Sequence, residues 1–79
     1  MDNELKYKKA FAEGLSIPED TAKNGLQYNT IPEWDSVGHM QLIVALEDAF
    51  DIMIDTEDVI DLSSYEKGKE ILKKYDIEF

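Results

Sequence analysis

A small all-α fold, a four-helix bundle with one short helix, is predicted by three observations. Apolar residues recur at helical spacing in three separate segments. A fourth, shorter segment has a helix cap at its start. The chain has 79 residues, enough for one domain spanning 1–79 and for a thin core.

Asn3 to Leu15 reads as the first helix. Tyr7, Ala10, Phe11, Gly14 and Leu15 share one face, while Lys6, Lys8, Lys9 and Glu13 lie mostly off it. Gly14 and Pro18 mark its end. Ser16 to Asp35 carries Pro18, Gly25 and Pro32 and reads as a long loop. Loops of that length are usually functional or hold structure of their own. Ile17, Leu26, Tyr28, Ile31 and Trp34 are spaced through it and are expected to tie it to the core.

Ser36 to Asp51 is the strongest helix, capped by Asp35 or Ser36. Leu42, Ile43, Leu46, Ala49 and Phe50 make its core stripe. Val37, Met40 and Val44 make a second apolar stripe, which a domain of this size is expected to leave exposed for a partner. A short helix over Asp55 to Leu62 follows, capped by Asp55 or Thr56, with Val59, Ile60 and Leu62 apolar. Ser63 and Glu66 have the spacing of a capping box and open a last helix to about Tyr75. Gly68, Ile71, Leu72 and Tyr75 share its face, and Lys73 and Lys74 suit its C-terminal end.

Composition narrows the function. There is no cysteine and one histidine, which excludes a disulfide framework, an iron–sulfur cluster and a cysteine or histidine metal site. The longest apolar run, Leu42 to Leu46, is far short of the roughly 20 residues of a membrane span. The first residues, MDNELKYKK, have no signal-peptide core, so a cytoplasmic monomer is expected. The net charge is −10, from eight lysines, no arginine and eighteen acids. Between Asn24 and Glu66 there are ten acids and no lysine, so the flanks balance and the whole excess lies in the middle. Such a field repels nucleic acid and anionic membranes and attracts basic protein surfaces.

Trp34-Asp35-Ser36-Val37 stands where the loop becomes the helix. A serine there turns its hydroxyl to solvent beside the free amides of a first helical turn, which favour a phosphate on that oxygen. Alone, Asp-Ser is a common N-cap pair. The context adds Leu42-Ile43-Val44-Ala45-Leu46-Glu47-Asp48-Ala49-Phe50, then Asp51-Ile52-Met53-Ile54, the short helix and the closing helix. In this order, over essentially the whole chain, the sequence resembles the acyl carrier protein family.

The resemblance implies that Ser36, beside Asp35, accepts 4′-phosphopantetheine from coenzyme A. A phosphopantetheinyl transferase would attach it with Mg2+, and its thiol would carry an acyl or aminoacyl group as a thioester. The chain would be a carrier, not an enzyme, and would hold no metal. Val37, Met40 and Val44 would form an apolar docking strip, flanked by Glu47, Asp48, Asp51, Glu57 and Asp58. These would meet basic surfaces on a loading ligase and a downstream acyltransferase or synthase. The family's fatty-acid-synthesis branch usually has acids where this chain has Gly38 and Gln41, and leucine where it has Val37. Trp34-Asp35-Ser36-x-Gly38-His39-Met40 is closer to carriers of specialised pathways: glycan modification, small secondary-metabolite systems or D-alanyl transfer. Gly38 costs up to about 1 kcal/mol relative to alanine in a helix and is expected either to let the arm or a partner come close or simply to be tolerated. The competing class is an unmodified acidic protein-interaction module with the same fold.

Other features reduce to simpler roles. His39 follows Ser36 by three residues, but a Ser–His nucleophile needs an orienting third group and a pocket, so a surface histidine near the phosphate or a partner is expected. Asp51 to Leu62 fails as a calcium loop, with Met53, Thr56 and Leu62 at the third, sixth and twelfth positions. Trp34 is expected to pack the loop on the bundle, and Tyr7, Tyr65 and Tyr75 to edge the core.

Overall fold

The computed structural model describes residues 3–79. Its helices are α1 (Asn3–Leu15), α2 (Ser36–Phe50), α3 (Thr56–Asp61) and α4 (Tyr65–Lys73), with a 3-10 turn at Glu19–Thr21. No strand occurs among the described residues; one antiparallel bridge pairs Gln27 with Ser64.

Helices α1 and α2 form the main packed pair. Tyr7, Phe11 and Leu15 from α1 meet Leu42, Leu46 and Phe50 from α2 in one core. Gly14 allows their close approach, since a Cβ there would lie 2.6 Å from the Leu42 Cα. Helix α4 adds Tyr65, Ile71 and Leu72, and Leu62 closes the side under α3. Tyr7, expected at the core's edge, is its fully buried centre. Its hydroxyl donates to the Tyr65 carbonyl at 2.6 Å, and burial pushes its pKa well above the usual phenol range.

The long connection is tied down as its apolar residues predict. Ile17, Ala22, Leu26 and Trp34 are buried, and Ile31 packs against the core. Backbone bonds from Tyr28 N to Ser63 O (2.8 Å) and from Tyr65 N to Leu26 O (2.9 Å) fasten it to the α3–α4 turn. The loop therefore forms a wall of the bundle, and its last residues are fixed where α2 begins.

The cap of α4 differs from the expected one. Ser64, not Ser63, caps α4 by accepting from the Lys67 amide at 3.0 Å. Glu66 does not complete a capping box; its carboxylate accepts from the Gly25 amide and braces the loop. The bridge residue Ser64 stands directly before the helix, while Ser63, one residue earlier, gives its carbonyl to the Tyr28 amide. Asp51 ends α2 in the left-handed region, at φ 54°.

Candidate functional site

Asp35 is the residue before α2, and its carboxylate accepts from the Gly38 amide at 2.8 Å. The Asp35 carbonyl accepts from the His39 amide at 2.8 Å. Capping thus belongs to Asp35 alone. Ser36, the first helical residue, is exposed, and its hydroxyl makes no hydrogen bond among the described residues. The Ser36 and Val37 amides likewise have no acceptor among them. These two donors sit at the positive end of a 15-residue helix, beside a free hydroxyl.

Gly38 serves the fold here. It is buried, and a Cβ would collide with the Glu33 carbonyl oxygen. The loop backbone occupies the space that was expected to admit an arm or a partner.

His39 is likewise not a free surface group. Trp34 Nε1–H donates to its Nδ1 at 2.9 Å, and its Nε2 lies 2.7 Å from the Val59 carbonyl. An indole can only donate, so Nδ1 accepts and Nε2–H donates to Val59, the neutral Nε2–H tautomer. The imidazole lies nearly coplanar with the fully buried indole, 14° from parallel as their in-plane hydrogen bond requires, and Tyr28 meets both rings edge-on. With both nitrogens engaged, His39 has no lone pair for the Ser36 proton and no N–H for a phosphate.

A groove of about 350 Å³ opens beside Ser36, between the first turns of α2 and the end of α3. Met40, Val59, Ile60 and Leu62 give it apolar walls, and Tyr28, His39 and Ser63 add polar groups. Ile60, expected with the apolar face of α3, is 75% exposed at this groove. A six-residue helix cannot turn three near-adjacent apolar side chains inward, and that crowding was the available signal. The place of Tyr28 and Ser63 depends on the loop bridge, which no local pattern announces.

The outer face of α2 carries Val37, Met40 and Val44, exposed by 64%, 59% and 56%. The acids expected to flank this strip do not all stand there. Asp48, Asp51 and Glu57 are exposed. Glu47 is half-buried, its carboxylate accepting from the Ile54 amide at 2.9 Å. Asp58 is only 5% exposed and is removed from the docking acids. It accepts from Lys74 Nζ at 2.5 Å and from the Tyr75 hydroxyl at 2.6 Å. The Lys74 hydrogen bond, with that of Tyr75, holds its carboxyl below the ordinary range, and the same contact raises Lys74. Asp58 joins α3 to the end of α4 and does not present charge to a partner.

No cluster of three or more His, Cys, Asp or Glu suited to a metal ion occurs among the described residues. None of the described helices is long and apolar enough to cross a membrane. Compared with protein-family models, curated proteins and solved structures, the chain gives no match.

Proposed function

We propose that this chain is a carrier protein of the acyl-carrier type. In this reading Ser36 receives 4′-phosphopantetheine, and the chain conveys acyl or aminoacyl groups between enzymes. The observation that carries the proposal is the division of labour at the start of α2. Asp35 makes the cap, which leaves the Ser36 hydroxyl exposed, without a hydrogen bond among the described residues, and beside an apolar groove.

The residues present fit the group. Ser36 and Val37 have unpaired amides at a helix N-terminus, where a phosphodiester is favoured. The groove walls of Met40, Val59 and Ile60 suit the apolar part of an arm, and Tyr28 and Ser63 suit its amides. The bound group supplies a thiol, which the chain itself lacks. Attachment is an exchange at phosphorus. The Ser36 oxygen bonds to the pantetheine-side phosphorus of coenzyme A, the pyrophosphate P–O bond breaks, and adenosine 3′,5′-bisphosphate departs. With His39 committed to Trp34 and Val59, the Ser36 proton must leave to a base on the transferase.

Val37, Met40 and Val44 form the apolar part of the docking face in this reading. Asp48, Asp51 and Glu57 steer basic enzyme surfaces to it, with Glu47 contributing in part. Incubation with coenzyme A, Mg2+ and a broad-specificity phosphopantetheinyl transferase, followed by intact mass spectrometry, tests the proposal. One phosphopantetheine is expected on the wild type and none on Ser36→Ala. A folded wild type that gains no mass overturns the reading and leaves the unmodified acidic interaction module.

A further inference from the structure

We infer that an acyl group carried at Ser36 stays in the surface groove and does not pass into the bundle, so the cargo is a short acyl or aminoacyl group. The inference rests on the carrier reading and deepens it to a substrate class. An apolar chain tethered at Ser36 has two places to go. It can lie between Met40 and Ile60, or it can pass through the α2–α3 seam to the core.

The seam is closed by hydrogen bonds. His39, on α2, reaches across the groove to the Val59 carbonyl on α3, and Trp34 reaches His39 from the loop. Beneath this bridge lies the indole, fully buried and edge-on to Phe11 at 5.1 Å. Phe11 in turn meets Tyr7 and Tyr65 at 5.3 and 5.0 Å. Rings therefore fill the space behind the floor. Entry would part both bonds and strand a buried indole N–H and a carbonyl without partners. A hydrocarbon chain lying there has no donor or acceptor to offer in their place.

The groove itself is at the small end of the roughly 300–1,000 Å³ of ligand sites. The arm already needs part of it. Its far side is open, since Met40 and Ile60 are mostly exposed, so the distal part of a long chain would stand in water. Short cargo leaves little apolar surface uncovered, and polar cargo finds the Tyr28 and Ser63 hydroxyls.

The test loads Ser36 enzymatically from acetyl-, hexanoyl- and dodecanoyl-coenzyme A. Its readouts are the Trp34 indole N–H and the Leu42, Leu46 and Leu62 methyl resonances, with the melting temperature of each form. All three forms are expected to share the same indole and methyl shifts and the same melting temperature. A dodecanoyl form with displaced core signals and raised melting overturns the inference.

His39→Ala, which removes both bonds of the bridge, is expected to let the dodecanoyl chain move the core signals; His39→Leu, which can make neither bond, serves if the alanine variant melts too early. Core signals that stay still in a folded floor variant also overturn the inference, because the bridge is then not the barrier. Because the chain has no cysteine, Ser36→Cys can be alkylated with iodoacetamides bearing the same chains, with no transferase involved. Failure of enzymatic loading on the wild type overturns the carrier reading. Core signals moved by the long chain on the alkylated variant overturn the closed floor, and the two failures are thereby distinguished.

Discussion

At the scale of the residue, Asp35 and Ser36 are neighbours with opposite duties. Asp35 satisfies an amide that the helix would otherwise leave bare, and the Ser36 hydroxyl makes no hydrogen bond among the described residues. Asp35→Ala is expected to cost about 0.5–2 kcal/mol, the usual worth of an N-cap. Ser36→Ala is expected to stay within about 0.5 kcal/mol, as surface changes do. Urea denaturation of the two variants checks this: equal losses would mean that Ser36 shares the cap. The Asp-Ser pair was legible in the sequence, but the assignment of the cap between its members was not. Either residue type caps well, and the choice depends on how the loop, held by Trp34 and the Glu33 carbonyl, enters the helix. His39 was illegible for a similar reason. Its partner Val59 lies twenty residues away on another helix.

At the scale of the element, α3 is held by side chains more than by its own six residues, since helices this short are marginal in isolation. Its N-cap, Asp55, makes no capping bond through its side chain. The Asp58 carboxylate fixes it to Lys74 and Tyr75, and the Tyr75 hydroxyl also accepts from the Asp55 amide at 3.0 Å. The folded pKa of Asp58 is depressed below its unfolded value. Its contribution is therefore complete above the unfolded value, about 3.9, and is lost as pH falls through the lower folded value. Stability measured by urea titration is expected to decline over that acid window, and Asp58→Asn to decline less steeply. Equal slopes for the two proteins would dismiss Asp58 as the titrating group. Long helices declared themselves by periodicity: α1 has the predicted bounds, and α2 stops one residue before the predicted Asp51. In α3, periodicity over so few residues could not show that Asp58 turns inward, because its partner lies beyond the next helix. The last helix ends at Lys73, short of the predicted Tyr75, which leaves Lys74 and Tyr75 positioned to hold Asp58.

At the scale of the whole molecule, lysines and acids are segregated along the chain, and the fold spends some of each internally. Lys8 donates to the Ala22 carbonyl, Lys69 pairs with Glu4, and Lys74 pairs with Asp58. Asp48, Asp51 and Glu57 remain exposed. On the carrier reading proposed above, reversing Asp48 and Glu57 to lysine is expected to slow transfer by a phosphopantetheinyl transferase through weaker association. The loss should be largest at low ionic strength and shrink as salt shortens the Debye length to about 8 Å near physiological strength. Initial rates across a salt series check this, and a salt-independent loss would refute steering. Glu47→Lys is expected to lower stability as well, because Ile54 loses its acceptor. Net charge and its placement were plain in the sequence. Which acids the fold consumes was not, since that depends on contacts between distant segments.

The hydroxyl at the start of α2 holds nothing up, and this has a consequence for how the molecule can be read by others. A substituent added to that oxygen breaks none of the hydrogen bonds among the described residues and asks no helix to move. The bare and the decorated chain would then have the same backbone and nearly the same melting behaviour. An enzyme that must tell one from the other has to feel for the appendage itself, because the surface around it carries no memory of whether it is there.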